Sequence, residues 1–344
     1  MSRVKTRSLA RRLAPAVVLL AATVGISSCS NQNVDPKSSG NTEVATGGER
    51  FGTADAETAK LGTDAAPGVF PRTIKHARGV TEIPRKPERI VVLDSGELDS
   101  VVSLGLKPVG MVTTDGASPI PTYLADKVQG VQTVGKNTTL DLEAIAKLKP
   151  DLILGSQLRV DKQYDKLSAI APTVFSIRPG FPWKENFRLI GAAVGEEQKA
   201  KDALNSYADN ARALSARFTG AKPTISLVRF MPNRLRLYGN KSLIGVILQD
   251  AGLPRAGKQG VDELSTEISL ENISQADGDY IFYSSYGKPE NTGESAALAN
   301  PGWAQLSGVQ KGKAFRVDDD VWYLGLGPTG ANLIVKQLGE YLAK

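Results

Sequence analysis

Short apolar runs alternate with amphipathic stretches along most of the chain. Runs such as RIVVLD, KPVGMVT and APTVFSIRP have the length and the β-branched content of buried strands. The stretches between them have the apolar spacing of helices of about ten residues. The alternation restarts after residue 220, with TISLVRF and later DYIFYSS. Strands that alternate with helices are typical of parallel sheets, so the pattern predicts an α/β protein with two such sheets.

The stretch LDLEAIAKLKPDLIL, residues 140–154, recurs in outline 128 positions later as ISLENISQADGDYIF. Each copy has a helix-capping residue, Asp141 or Ser269, and an acid two positions later, Glu143 or Glu271. A helix-stopping residue then precedes a buried strand in both copies. Two lobes of similar build are the simplest explanation of this repeat.

A polar, alanine-rich segment separates the two repeats. Between Glu196 and Phe218 the apolar residues recur at helical spacing. At 1.5 Å per residue, such a helix is about 30 Å long. We therefore predict a first lobe at 68–190, one connecting helix at 191–219 and a second lobe at 220–344.

The first residues have the organisation of an export signal. Residues 1–28 hold five basic residues, no acid and an apolar run that is shorter than the roughly 20 residues needed to cross a bilayer. The run ends in ISSC, which resembles the lipobox of bacterial lipoproteins, so we predict that Cys29 is lipidated and begins the mature chain. An Arg-Arg pair leaves twin-arginine export open beside general secretion. Residues 29–67 are rich in small polar residues and are predicted to form a flexible tether.

Charge and composition exclude several classes of function. Removal of residues 1–28 lowers the formal net charge from +6 to about +1, and the remaining charges are well mixed, so we expect no nucleic-acid partner. Cys29 is the only cysteine and His76 the only histidine, which argues against disulfides, cysteine catalysis and a zinc or manganese cluster. No GxSxG, HExxH or P-loop motif occurs, so we predict a protein that is not an enzyme and needs no cofactor. A carboxylate-based hydrolase is the enzyme class that stays open.

Several longer stretches resemble the substrate-binding lipoproteins of iron-siderophore ABC importers, namely LQDAGLPR, LEAIAKLKPDLIL and NPGWAQLSGVQKGKAFRVDDDVWYLGLGPTGA. This family includes ferric-citrate, ferrichrome, catecholate, haem and cobalamin binders, and the resemblance covers about residues 68–344. It implies two Rossmann-like lobes with parallel sheets, joined by one long helix as in class III periplasmic binding proteins. It also implies a lipid-anchored receptor on the extracytoplasmic face of the cell membrane. Such a receptor delivers a ferric siderophore to an ABC permease dimer, and we expect it to be a monomer.

Parallel sheets bind ligands beyond the carboxyl ends of their strands, so the loops after the strands are expected to line the cleft. Basic and aromatic residues suit a bulky, often anionic ferric chelate, because guanidinium groups bond chelating oxygens and aromatic rings cover apolar parts. The predicted ligand-binding residues are Arg159, Trp183, Arg229, Arg236, Tyr238, Tyr286, Trp322 and Tyr323. Ser95, Glu97, Arg234 and Tyr283 lie in the same predicted loops. For Trp183 and Tyr283 a purely structural role is the alternative.

Other ligands and roles stay open at this point. Haem with a tyrosine ligand and cobalamin suit the same scaffold, although several cleft arginines favour an anionic chelate. A surface adaptor lipoprotein with no transport ligand is a further alternative. We interpret His76 as structural and predict no metal site.

The two repeated acids have two interpretations. An acid in the first turn of a helix favours the positive end of the helix dipole by about 0.3–1 kcal/mol, which explains one glutamate. In the resembling family, an equivalent glutamate from each lobe pairs with arginines of the two permease subunits. We therefore predict that Glu143 and Glu271 are permease-docking residues.

Overall fold

Two open β-sheets, each covered by helices, organise the part of the chain that the computed structural model describes, residues 50–116 and 118–343. This part belongs to one compact unit, and it contains no helix that is long and apolar enough to cross a membrane. The predicted signal peptide, the lipidation site Cys29 and the first part of the predicted tether lie outside the described residues.

The strands fall into a hairpin and the two sheets. They are β1 (Arg72–His76), β2 (Gly79–Ile83), β3 (Ile90–Val92), β4 (Gly110–Thr113), β5 (Gln132–Lys136), β6 (Thr139–Leu140), β7 (Leu152–Ser156), β8 (Thr173–Ser176), β9 (Ile225–Met231), β10 (Arg234–Tyr238), β11 (Ser265–Ile268), β12 (Tyr280–Ser285) and β13 (Ala314–Arg316).

Most helices are short, and two of them are longer than 12 residues. The α-helices are α1 (Ala54–Thr58), α2 (Ser95–Ser103), α3 (Leu142–Lys147), α4 (Gln157–Val160), α5 (Tyr164–Ser168), α6 (Trp183–Val194), α7 (Glu197–Ser215), α8 (Leu243–Asp250), α9 (Pro289–Thr292), α10 (Glu294–Leu298), α11 (Pro301–Ala304), α12 (Ser307–Gln310), α13 (Asp319–Trp322) and α14 (Pro328–Tyr341). The 3₁₀ helices are Thr122–Val128, Asp161–Gln163, Gly257–Gln259 and Leu270–Ala276.

The first sheet has the strand order β6-β5-β4-β3-β7-β8. All neighbouring strands are parallel except β6, which is a short antiparallel edge strand. The residues of β3 and β7 are buried throughout, because helices cover both faces of the sheet. We call this sheet with its helices the first lobe.

The second sheet has the order β11-β10-β9-β12-β13 and is mixed, not parallel as predicted. Strand β12 is parallel to β9 and β13, whereas β10 is antiparallel to β9 and β11. The reason is a two-residue turn, Pro232-Asn233, which can join only antiparallel strands. Asn233 has a φ of 60°, a conformation that asparagine tolerates well. We call this sheet with its helices the second lobe.

The predicted connecting helix is present as α7, although it starts later than predicted. Residues 191–194 belong to α6, which ends because Gly195 takes a left-handed conformation with a φ of 71°. The buried residues of α7 repeat at helical spacing, as predicted: Ala200, Leu204, Tyr207, Ala211 and Leu214.

The two copies of the internal repeat are similar in sequence but differ in local structure. Asp141 caps α3 as predicted, because its Oδ1 accepts a hydrogen bond from Ala144 N at 2.9 Å. Ser269 makes no such bond to the segment Leu270–Ala276, which is a 3₁₀ helix interrupted at Asn272 instead of an α-helix.

A carboxylate of the first lobe caps the last helix of the chain. Asp99 of α2 is fully buried, and its two oxygens accept hydrogen bonds from Thr329 N at 2.8 Å and from Gly330 N at 2.9 Å. Tyr123 Oη donates to the same carboxylate at 2.8 Å. A Cβ atom at Gly327 would lie 2.6 Å from Asp99, so this close approach requires glycine. The lobes are thus joined by α7 and by this buried cap.

The prediction of a flexible tether is wrong for residues 50–67. They include α1 and a bridge from Gly62 to Lys75. Phe51 is buried, with its ring centroid 5.3 Å from that of Phe181 and 4.5 Å from the guanidinium carbon of Arg178. One aromatic residue in an otherwise polar segment therefore anchors it to the body.

Candidate ligand site between the lobes

The first lobe places an ion pair at the carboxyl end of its sheet. Asp94 follows β3 and caps α2: its Oδ1 accepts from Ser95 N, and its Oδ2 accepts from Arg159 Nε, both at 2.8 Å. Burial opposes the charge on Arg159, but the charge and the hydrogen bond of Asp94 outweigh it and raise the pKa of Arg159 above its usual value. The two terminal nitrogens of Arg159 make no hydrogen bond to the described residues. They are therefore available to a ligand acceptor.

A second acid, Glu97, is buried in the first turn of α2 and is only 3% exposed. Ser176 Oγ donates to its Oε1 at a long 3.4 Å, and its Oε2 has no hydrogen-bond partner in the described part of the chain. Burial, followed by the charge of Asp94, raises the pKa of Glu97 to about 8. This carboxyl is therefore mostly neutral at pH 7.

The second lobe has its own arginine at the corresponding edge. Arg229 of β9 is 5% exposed and is held by Asp319, with Nε donating to Oδ1 at 2.7 Å and Nη2 donating to Oδ2. Its third nitrogen, Nη1, donates to Tyr238 Oη at 3.1 Å. Ser284 Oγ also donates to Asp319, at 2.6 Å. Burial opposes the charge on Arg229, but Asp319 outweighs it, so the pKa of Arg229 is raised.

Tyr286 connects the arginines of the two lobes. It follows β12, and its ring centroid lies 4.7 Å from the guanidinium carbon of Arg229. Its hydroxyl also interacts electrostatically with Arg159 and Asp115 of the first lobe. Burial raises the pKa of Tyr286, and the hydroxyl remains a neutral hydrogen-bonding group. A half-buried aromatic ring packed against one arginine and within the electrostatic reach of another suits a ligand with both anionic and apolar surface.

The other predicted residues of the second lobe surround Arg229. Arg236, its cross-strand neighbour on β10, donates from Nε and Nη2 to Glu267 Oε1, both at 2.9 Å. The ring of Tyr323 lies 4.8 Å from that of Tyr238 and 5.2 Å from the guanidinium carbon of Arg229. These residues form one basic and aromatic cluster.

Two predicted ligand-binding residues, Trp183 and Trp322, lie in the core, and this burial contradicts the predicted ligand contact. Trp183 is 1% exposed, and its ring packs edge-on at 4.8 Å against that of Tyr207 in the connecting helix. Trp322 is fully buried, with its ring 4.7 Å from that of Phe282 and its Nε1 donating to Gln337. Packing uses the surface of both indoles, so we leave them out of the proposed site.

The positions of the arginines also differ from the prediction. Arg229, Arg234, Arg236 and Tyr238 lie on β9 and β10 and not in loops. The acids that orient three of the arginines are Asp94, Glu267 and Asp319. Sequence spacing did not identify them, because Asp319 is 90 residues from Arg229 and Asp94 is 65 residues from Arg159.

The two predicted docking glutamates are accessible to a partner. Glu143 and Glu271 are exposed, each in the first turn of its helix. A hydrogen bond from Ser269 lowers the pKa of Glu271, so this carboxylate is charged at pH 7.

The described residues contain no group of three or more His, Cys, Asp or Glu side chains that could hold a metal ion. His76 is buried beside Thr81, with 2.9 Å between Nε2 and the threonine Oγ1. Burial lowers the pKa of His76 to about 4, so its ring is neutral at pH 7.

Two cavities lie away from the interlobe cluster. One of about 860 Å³ lies between α7 and α14, and one of about 760 Å³ lies along the β1–β2 hairpin. The cluster residues are absent from both linings. We do not assign the ligand to either cavity, because neither has the arginines and rings described above.

Comparison with known proteins identifies a family and close relatives. The sequence profile described as "Periplasmic binding protein" matches residues 90–321. The probable siderophore-binding lipoprotein YfiY of Bacillus subtilis is 37% identical over 287 residues, which are 79% of this chain and 88% of that protein. The Fe(3+)-citrate-binding protein YfmC of the same species is 29% identical over 258 residues, 73% of this chain and 79% of that protein.

Solved structures are similar over the same part of the chain. The crystal structure of Staphylococcus aureus SirA complexed with staphyloferrin B has a TM-score of 0.70 and 34% sequence identity, and the match covers 79% of this chain and 98% of that chain. This similarity confirms the predicted α/β fold class with two Rossmann-like lobes and one connecting helix.

Proposed function

Because the chain belongs to the periplasmic binding protein family, we propose that it is the extracytoplasmic receptor of an iron-chelate ABC importer and binds a ferric siderophore between its lobes. It is a substrate-binding protein and not an enzyme. The names of its relatives, which include a siderophore-binding lipoprotein and an Fe(3+)-citrate-binding protein, support an iron chelate as the ligand.

One observation supports this choice of ligand chemistry: Arg229 of the second lobe lies against the Tyr286 ring, and Arg159 of the first lobe also acts electrostatically on the Tyr286 hydroxyl. The free terminal nitrogens of Arg159 are donors for carboxylate or chelating oxygens, and the tyrosine ring offers apolar surface. Arg236 adds a third guanidinium group beside Arg229, its cross-strand neighbour. The arrangement favours an anionic chelate over a neutral one.

The remaining parts of the proposal concern assembly. Cys29 carries the lipid that anchors the receptor to the outer side of the cell membrane, and the receptor acts as a monomer. The exposed carboxylates of Glu143 and Glu271 pair with basic residues of a permease dimer, one from each lobe. The charged state of Glu271 and the accessibility of both acids support this role.

Co-elution of iron with the purified protein tests the function. The mature chain is mixed with ferric citrate or ferric staphyloferrin B and passed through a gel-filtration column, and the iron in the protein peak is measured. We expect about one iron per chain with at least one chelate, and less with an Arg159→Ala variant. Iron that never co-elutes with the wild-type protein would reject the proposed ligand class.

A further inference from the structure

The acid Glu97 has an environment that its neighbour Asp94 does not share. Both belong to the start of α2, but Asp94 bonds the Arg159 guanidinium and Ser95 N, whereas Glu97 interacts only with its own backbone N–H and, at a long 3.4 Å, with Ser176 Oγ. One of its oxygens is buried without a partner in the described part of the chain. A buried carboxyl with so few donors is costly to ionise.

The charged groups around Glu97 come from several elements. Asp94 is on its own helix, and Arg159 comes from α4. Arg178, after β8, and Tyr286, from the second lobe, act in turn on Arg159. Both acids therefore interact with Arg159, and only Asp94 is hydrogen-bonded to it. Burial and the charge of Asp94 keep Glu97 neutral at pH 7.

Ionisation of Glu97 would change what Arg159 offers to a ligand. With Glu97 neutral, Arg159 and Asp94 together carry no net charge, and the terminal nitrogens of the arginine are free. With Glu97 ionised, a second negative charge competes for the same guanidinium, and the net charge at this edge of the sheet falls by one.

We propose that Glu97 is a positioning residue for an anionic chelate: its neutral carboxyl leaves Arg159 to the ligand, and its ionised form draws Arg159 away and repels the ligand. This inference deepens the proposed function and rests on it. The geometry that carries it is the burial of Glu97, its unpartnered oxygen and the hydrogen bond by which Asp94, three residues earlier, holds Arg159.

The sign of the pH dependence follows from the linkage between ligand binding and protonation of Glu97. A bound anion disfavours a like charge at Glu97, so the complex keeps a proton that the free protein loses as the pH rises through about 8. Binding therefore takes up a proton in this range, and affinity falls as the pH rises. If the ligand raises the pKa of Glu97 by one unit, the affinity falls by about tenfold.

The test compares the pH dependence of two proteins for one probe. Ferric citrate, or ferric staphyloferrin B if citrate does not bind, is titrated into the wild type and into Glu97→Gln between about pH 6.5 and 9.5. The titration of the chelate itself is the same for both proteins and cancels in the ratio. We expect the ratio of wild-type to variant affinity to fall by about tenfold across this range.

Glu294→Gln removes a buried acid that pairs with Arg316 in the other lobe, and its pH profile should follow the wild type.

A second measurement does not depend on the variant. Calorimetric titration of the wild type near pH 8, in buffers of different ionisation enthalpy, counts protons taken up on binding. Net uptake of about 0.4 proton, as a one-unit rise in pKa predicts near pH 8, supports the proposal if Glu97→Gln abolishes it. Parallel pH profiles in both proteins, or no uptake by the wild type, overturn it while the proposed function stands. Absence of binding at every pH overturns the proposed function itself, and this inference with it.

Discussion

Asp319 holds Arg229 by two hydrogen bonds, from Nε to Oδ1 at 2.7 Å and from Nη2 to Oδ2, and both side chains are only 6% exposed. The third nitrogen of Arg229, Nη1, donates a hydrogen bond to Tyr238 Oη. All the guanidinium nitrogens of this arginine are thus engaged within the protein. Arg229 therefore keeps two of its five N–H donors and supports the Tyr286 ring, whereas Arg159 keeps all four donors of its terminal nitrogens.

Loss of Arg229 should be costly to stability. Arg229→Ala leaves the Asp319 carboxylate buried without its cation, so we expect the free energy of unfolding to fall by about 3–5 kcal/mol in urea titrations. The double variant Arg229→Met/Asp319→Leu removes both charges and should recover most of this loss. If the single change costs less than about 1 kcal/mol, the buried pair is not the structural element described here.

Loss of Arg159 should weaken ligand binding in addition to its cost in stability, because Arg159→Ala also leaves Asp94, whose side chain is 1% exposed, without its cation. Arg159→Ala removes two free terminal nitrogens with their four N–H donors. The affinity for ferric citrate should therefore fall at least about tenfold, while the affinity for an uncharged ferric tris-hydroxamate should fall much less. Arg188→Ala, which changes an exposed arginine paired with Glu185, is the matched control. Equal losses for the charged and the uncharged chelate would show that Arg159 does not act through charge.

Charge reversal should separate transport from binding. Glu143→Lys combined with Glu271→Lys replaces two exposed acids, so cellular uptake of radiolabelled ferric siderophore should be abolished because the permease contacts would be repulsive. The affinity of the purified variant for the chelate should stay at the wild-type value. Glu82→Lys, an exposed acid on the β2 hairpin strand, should leave uptake intact. Normal uptake in the double variant would show that both glutamates only stabilise their helix ends and do not contact the permease.

The buried cap between the lobes should protect the start of α14. Asp99→Ala removes the acceptor for Thr329 N and Gly330 N, so the free energy of unfolding should fall by about 1–3 kcal/mol and these two amides should exchange faster with deuterium. Asp141→Ala removes the cap of α3 within the first lobe and should leave both amides unchanged. Unaltered exchange in Asp99→Ala would mean that α14 is held by other contacts.

The parallel part of the fold follows from the sequence because its signal is local. Runs such as RIVVLD predict β3, and the apolar spacing of the connecting helix predicts the buried face of α7, including Tyr207. The hairpin β9–β10 is missed, because a Pro-Asn turn followed by alternating arginines resembles a polar loop. Phe51 is missed for a similar reason, since a single aromatic residue in a polar segment has no periodicity to reveal its contact with Phe181.

The sequence predicts which types of residue form the site, but it does not predict which acid pairs with which arginine. Arg159 and Tyr286 follow from their places after strands. Arg229 and Arg236 are expected from the sequence by residue type but lie within β9 and β10 instead of in loops. Which of them keeps free donors depends on acids brought close only by folding, such as Asp319 for Arg229. In the sequence, Trp183 and Trp322 cannot be distinguished from aromatic residues that line a cleft. Their place in the core is visible only from their packing in the fold.

Direct titration of the purified mature protein with iron chelates tests the central claim. Intrinsic fluorescence is followed while ferric citrate, ferric staphyloferrin B, an uncharged ferric tris-hydroxamate, haem and cobalamin are added in turn. We expect saturable quenching by at least one ferric siderophore at or below micromolar concentration, with anionic chelates preferred because Arg159 presents free donors. No saturable change with any ferric siderophore, or tight binding of haem or cobalamin alone, would contradict it.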